Sequence, residues 1–309
     1  MRNLRTEQEI MANWKGDLSK PVVSVCCITY NHENYIEDAL EGFLIQETEF
    51  PFEIIIHDDA STDKTASIIQ EYVEKYPKII KPILQSENQY REKGFSFIAS
   101  VYEMCVGEYI ALCEGDDYWI TPDKIALQVS IMRHNENISM VFSSAIQKQK
   151  GKKDFIRNKY PKEGILNVDL KWVIKKGGGF YPTASIIFRS SVLINPPTWL
   201  WMHVTGDYPL AILCKMHGEF FYFNDAQTVY NSHGKSVSHE EKSIKVKASN
   251  MKKNQEFYWE LFKSNILDYK DFIFLVYKEN LSIKRSNSKL AWLKSRIVAV
   301  FLYVSLRMS

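Results

Sequence analysis

A chain of 309 residues can bury a sizeable core, either as one large domain or as two small ones. Apolar content of 45% and charged content of 25% describe a globular protein, and 39 Lys+Arg against 37 Asp+Glu leave a net +2, so nothing in the overall charge argues for nucleic acid. The five cysteines, at 26, 27, 105, 113 and 214, show no Cys-x-x-Cys spacing and read as small buried hydrophobes in a reducing compartment. Residues 1–10 carry charges where a signal peptide needs an apolar core, and no run reaches the roughly 18 apolar residues of a spanning helix. The expected location is the cytoplasm.

Residues 22–29 are apolar and β-branched, as expected of a central parallel strand. They run into Tyr30-Asn31-His32, after which Asn34 is placed to cap a helix carrying Ile36, Leu40, Phe43 and Leu44 on one face. A second strand, 53–57, ends on Asp58-Asp59, and Thr62 or Asp63 is placed to cap the helix that follows. A third strand is expected at 79–84, and then a helix with Phe95, Ile98, Val101, Tyr102 and Cys105 on one face. Strands alternating with helices imply a mostly parallel sheet with helices on both faces.

The next strand, 109–113, ends on Glu114, Asp116 and Asp117, three carboxylates within four positions. Burying that many like charges is costly unless a cation sits among them, so a divalent metal is the economical reading. Carboxylates at the C-terminal ends of strands also stand where open α/β sheets hold ligands. The alternative is a solvated turn after a core strand. Thr121-Pro122 then begins a helix that continues over 123–134.

The second half is less regular. Residues 138–142 form a strand, and 148–162 form a basic, polar loop. Gly177-Gly178-Gly179 lacks the Gly-Lys-Ser/Thr ending of a phosphate loop and reads as a turn before a strand at 183–189. Asp207 opens a short helix, where the residue type alone indicates a cap or a charge that complements the helix dipole. His233 stands in a polar loop. From 240 the chain is helical and basic, and 284–309 combines basic residues with aromatic and aliphatic ones. That tail is either an interfacial helix on an anionic membrane or a helix packed on the domain.

Tyr-Asn-His after the first strand, His-Asp-Asp-Ala-Ser-Thr-Asp after the second, and Gly-Glu-Tyr-Ile followed by Glu-Gly-Asp-Asp-Tyr-Trp together resemble the family-2 glycosyltransferases. The resemblance covers roughly 21–240 and implies their nucleotide-sugar-dependent A-type fold: an α/β, mostly parallel sheet, here with a helical C-terminal tail. It implies a leader at 1–20, a catalytic domain at 21–240 with its nucleotide-binding half at 21–122 and its acceptor half at 123–240, and a basic extension at 241–309.

By the same resemblance, Tyr30 and Asn31 contact the nucleotide, and Asp59, with Asp58 beside it, accepts a hydrogen bond from the base, usually uracil. Asp116 meets the ribose and the metal, and Asp117 is the better ligand for Mg²⁺ or Mn²⁺, with His233 a further ligand. Glu114 takes the outer position of that signature, where many relatives have Asp. Asp207 matches the general base. The implied reaction is inverting, from a nucleotide-sugar donor, UDP-linked first, to a glycan or lipid-linked acceptor in cell-surface polysaccharide synthesis.

One element departs from the pattern. The Ala-Arg-Asn of many relatives is Phe97-Ile98-Ala99 here, leaving Arg91 and Lys93 either as substitutes or as surface charges. Two other functions fit these residues less well. A sugar-nucleotide pyrophosphorylase would carry a Gly-rich, Arg-containing first loop, unlike Tyr30-Asn31-His32. A non-catalytic carbohydrate-binding relative would have lost Asp117 or Asp207, and both are present.

Overall fold

The computed structural model describes residues 4–233 and 244–284. Among them, residues up to 196 together with 210–232 form one compact unit, and 197–209, 233 and 244–284 form a second.

The first unit is built on a mixed sheet whose strands, in chain order, are β1 (Val23–Thr29), β2 (Phe52–Asp58), β3 (Ile80–Leu84), β4 (Tyr109–Leu112), β5 (Tyr118–Trp119), β6 (Ile138–Gln149), β7 (Phe155–Arg157), β8 (Gly164–Leu166), β9 (Ile187–Arg189) and β10 (Glu219–Ser232). They lie in the order β3-β2-β1-β4-β9-β6-β10-β5, with β7 on β6 and β8 on β10. β3, β2, β1 and β4 are mutually parallel, as are β6 and β10. β9 joins these two parallel sets by pairing antiparallel with both β4 and β6. The expected mostly parallel α/β sheet is therefore present, with antiparallel strands at the junction and at the edge.

β1, β2 and β4 are buried along their length, which is why they read as continuous apolar runs rather than alternating ones. Among the helices of this unit, α1 (Glu7–Met11) and α2 (Ile36–Leu44) pack on the sheet through Ile10, Ile36, Leu40 and Phe43. Each such side chain removed from water contributes about 1.5–3 kcal/mol. α3 (Thr65–Lys75), α4 (Gln89–Lys93), α5 (Ile98–Met104), α6 (Lys124–His134) and α7 (Leu170–Lys176) follow in order.

Several boundaries differ from those read off the sequence. Asn34 does not cap α2: the cap position is Tyr35, without a side-chain bond, and the Ile36 N–H donates to the His32 carbonyl instead. α6 begins at Lys124, not at 122 or 123. The 183–189 stretch is a 3₁₀ turn at Thr183–Ser185 followed by only three paired residues. The stretch 148–162 contains β7, and β6 runs to Gln149 rather than stopping at 142.

α8 (Asp207–His217) starts in the second unit and ends in the first. The second unit is otherwise a 3₁₀ turn, Thr198–Trp201, and the helices α9 (Ile244–Lys263) and α10 (Tyr269–Lys284). Its core is aromatic. Phe257 packs edge-on against Trp199, His203 and Tyr208, and Phe272 packs against Trp259 and Phe262. Burial among these rings pulls the His203 pKa down to about 4. No helix among the described residues is long and apolar enough to cross a membrane. Of the basic tail, 285–309 lies outside the described residues.

Candidate active site

Parallel pairing aligns Thr29 with Asp58 and Cys26 with Leu112, so the loops leaving β1, β2 and β4 rise from one edge of the sheet. The first two loops are bonded to each other. The Asn31 N–H donates to Ser61 Oγ at 2.8 Å, and the Thr62 N–H donates to Asn31 Oδ1 at 2.8 Å. The His32 N–H donates to Thr65 Oγ1 at 2.8 Å, and the Glu33 N–H to Asp63 Oδ2 at 3.1 Å. Asn31 holds φ at 55°, a left-handed conformation that Asn tolerates better than most side chains. Its amide oxygen thus ties loop to loop.

Asp58 and Asp59 are both buried, and their carboxylates serve the backbone. Asp58 accepts the Ser61 N–H at 3.1 Å and the Ser61 hydroxyl. Asp59 accepts the Gln89 N–H at 2.6 Å on Oδ1 and the Tyr90 N–H at 3.1 Å on Oδ2, which seats the first turn of α4 against the second loop. That turn presents Arg91, whose guanidinium lies 6.0 Å from the Tyr30 ring centroid and donates to the Tyr30 hydroxyl at 3.4 Å. Lys93 instead bonds Gln89 on its own helix. Of these two cations, Arg91 is the one beside the Tyr30 loop.

The acidic turn after β4 is forced against β1. A Cβ at Gly115 would come within 2.5 Å of Thr29 Oγ1 and 3.0 Å of Ile36 Cδ1, so only glycine permits this approach. The Gly115 N–H donates to the Ile28 carbonyl at 2.9 Å. Asp116 Oδ2 then lies 3.8 Å from His32 Nε2, and the other ring nitrogen of His32 is 3.1 Å from Thr29 Oγ1. The far end of β10 meets the same turn, drawn there by its antiparallel pairing with β5. The Asn231 N–H donates to Asp117 Oδ1 at 2.9 Å, and Asn231 Nδ2 donates to the Asp116 carbonyl at 2.6 Å.

Asp117 is 2% exposed. Burial, followed by the neighbouring charges of Asp116 and Glu114, pushes its carboxyl well above the usual range, against the opposing pull of the Asn231 N–H and of Arg157. A buried carboxylate among like charges and hard oxygen donors is the chemistry that suits a divalent cation, so Asp117 and Asp116 fit one. His233 directly follows Ser232, the last residue of β10, and begins the second unit. Asp207, also in the second unit, is the half-buried first residue of α8, next to the core residue Tyr208.

Two neighbours of the acidic turn are not evident from the sequence. Arg157 on β7 lies 4.3 Å from the Tyr230 ring and adds a positive charge beside Asp117. Lys124 is wholly buried behind the turn: its Nζ donates to Gln128 Oε1 at 2.9 Å and sits 4.2 Å from the Trp119 ring centroid. Burial lowers its pKa to about 7. Trp119 Nε1 and Gln128 Nε2 donate to the carbonyls of Ala184 and Ser185, so this cluster backs the acidic turn against the loop before β9.

A family model described as glycosyl transferase family 2 matches residues 24–194, which span all three loops. The chain belongs to that family. An uncharacterized protein of Mycobacterium tuberculosis is 35% identical over 218 residues, 70% of this chain and 60% of that protein. The chain thus spans about three fifths of this relative's length. The dTDP-rhamnosyl transferase RfbG of Shigella flexneri is 34% identical over 109 residues, covering 35% of this chain and 37% of RfbG. Among solved structures, S. aureus TarS (residues 1–349) in complex with UDP-GlcNAc superposes with a TM-score of 0.64. It is 16% identical, covering 88% of this chain and 79% of that one, a likeness of fold.

Proposed function

We propose that this family-2 chain is an inverting, metal-assisted glycosyltransferase. It would move a sugar from a nucleotide donor, UDP-linked first, to a hydroxyl of a glycan or lipid-linked acceptor in cell-surface polysaccharide synthesis. The observation that carries this reading is the buried Asp117, crowded by Asp116 and Glu114 at the edge of the sheet where the Tyr30 and Asp59 loops also rise. The UDP-sugar held by TarS supports the choice of uridine. The dTDP donor named for RfbG makes thymidine the competing base.

In this reading the Tyr30 ring, steadied by Arg91, faces the base, while Asn31 and Asp58 hold the two loops in register. Asp59 keeps α4 in place through both oxygens and has lone pairs left for an imide N–H. Asp116 would meet the ribose, and Asp117 and Asp116 would hold Mg²⁺ or Mn²⁺. His233 joins them as a ligand, two residues along the chain from Asn231, which is itself bonded to the acidic turn. The cation, when bound, neutralises charge on the departing diphosphate. Asp207, at a helix start that favours its ionised form, would take the proton from the attacking hydroxyl, and a single displacement inverts the anomeric centre.

Thermal melting across a panel of nucleoside diphosphates, with Mn²⁺ and with chelator, tests the reading. A Mn²⁺-dependent rise with UDP is the expected result, because a ligand that binds only the native state stabilises it. A rise with dTDP alone would reassign the donor. No rise with any nucleotide would refute donor binding at this site.

A further inference from the structure

β6 and β7 form a hairpin whose charge is one-sided. Residues 147–163 hold six Lys and one Arg against Asp154 and Glu163. Antiparallel pairing of Ala145 with Arg157 and of Gln147 with Phe155 sets the register, and Gly151, at φ 77°, lies in the turn. Lys148, Lys150, Lys152 and Lys153 at the tip are all exposed. Lys148 donates to the Tyr118 hydroxyl at 2.7 Å, and Asp154 and Asp38 are the acids whose field reaches it. Among the described residues none of the four lysines is ion-paired. Topology gives this charge a place. β9 is antiparallel to both β4 and β6, so β6 runs parallel to β4 and its tip rises from the same edge as the Tyr30, Asp59 and Asp117 loops. At the base of the hairpin Arg157 packs 4.3 Å from the Tyr230 ring, and its charge reaches Asp117.

We infer that this hairpin binds the acceptor, and that the acceptor is a chain carrying phosphate groups in series. The inference rests on the glycosyltransferase reading above and adds the acceptor's chemistry to it. At about 3.4 Å per residue, Lys150 lies roughly 17 Å along the hairpin from the Ala145–Arg157 pair. The two phosphates of one nucleotide donor are adjacent and cannot meet both ends of such an array, whereas a chain with a charge in each repeat can. The tip cations are all lysines, point charges that suit phosphate, while planar carboxylates are better matched by the fork of Arg. A row of like charges at the edge of the site also draws a polyanion towards it from solution. Phe155 and Ile156, each 53% exposed, stand among these cations, which makes an anionic lipid surface the competing partner.

The experiment is calorimetric titration of the full chain with short inorganic polyphosphate, with polygalacturonate and with neutral dextran, at several salt concentrations. Wild type is compared with Lys150→Gln/Lys152→Gln/Lys153→Gln. All three positions are exposed, so folding is expected to survive, as circular dichroism will show. Wild type is expected to bind polyphosphate and not dextran. The variant should bind polyphosphate about tenfold or more weakly, and its plot of log affinity against log salt should be shallower by about 2, at about 0.7 for each cation lost. Equal polyphosphate binding by the two proteins would overturn the inference, and so would polygalacturonate bound as tightly as polyphosphate. Sedimentation with phosphatidylglycerol vesicles that the variant loses, without polyphosphate binding by wild type, would assign the hairpin to lipid and overturn it as well. The Mn²⁺-dependent melting shift with UDP should be the same in both proteins. Its absence from wild type would mark failure of the donor reading, whereas failure of this inference leaves it in place.

Discussion

Lys124→Met isolates the effect of a charge site buried without a carboxylate partner. In the folded chain burial holds the ammonium pKa at about 7, against an ordinary value of 10.5. The folded state therefore disfavours the protonated form. Below about pH 7 both states hold the proton and the full cost applies; between 7 and 10.5 only the unfolded chain holds it, so stability rises with pH at about 1.4 kcal/mol per unit. From about pH 7.5 to 9.5 wild type should gain about 2.5 kcal/mol relative to Lys124→Met, which has nothing to titrate there. Other groups titrate equally in both proteins and cancel. The assay is urea unfolding of the two proteins across that pH range. A difference flat with pH would refute the reasoning. It would mean that the Trp119 face and Gln128 keep the ammonium charged inside the fold, as cation–π and hydrogen-bond contacts do when strong enough to offset desolvation.

Three further outcomes follow from the site. Asp117→Asn should lower calorimetric affinity for UDP in the presence of Mn²⁺ by at least about tenfold, and unchanged affinity would remove Asp117 from the metal site. Asp207→Asn should bind the donor normally while transfer falls by about 10²–10⁴-fold; normal turnover would place the base elsewhere. Gly115→Ala drives a methyl into Thr29 and should cost about 1–3 kcal/mol in denaturant unfolding, with a wild-type midpoint arguing that the turn has room to shift.

The parts of the fold legible in the sequence are those whose own residues decide them. β1, β2 and β4 are continuous β-branched or apolar runs, and the carboxylates at their ends stand out against that background. β7, β8 and β9 are three residues each, too short for any period, and exist because a partner strand accepts their backbone. Arg157 was hidden for that reason: it lies in a polar stretch that becomes a strand only by pairing with β6. Lys124 was hidden differently, since a lysine at a helix start reads as solvated, and only the pocket between Trp119 and Gln128 shows otherwise. A signal was available at the N-terminus, where Thr6-x-x-Glu9 forms a capping box for α1 and Ile10 enters the core. The base-facing role expected of Asp59 depends on a partner outside the chain, so its seating of α4 could not be read from the residue type.

The bonds that join the Tyr30 and Ser61 loops bear on the speed of binding. Loops that order only when a ligand arrives make association wait on a rare open geometry and add an unfavourable entropy to each encounter. Here Asn31, Ser61, Asp63 and Thr65 hold both loops in one arrangement before any nucleotide arrives. The rate at which a nucleotide enters this half of the site should then follow solvent viscosity and nucleotide concentration, without a plateau set by loop rearrangement.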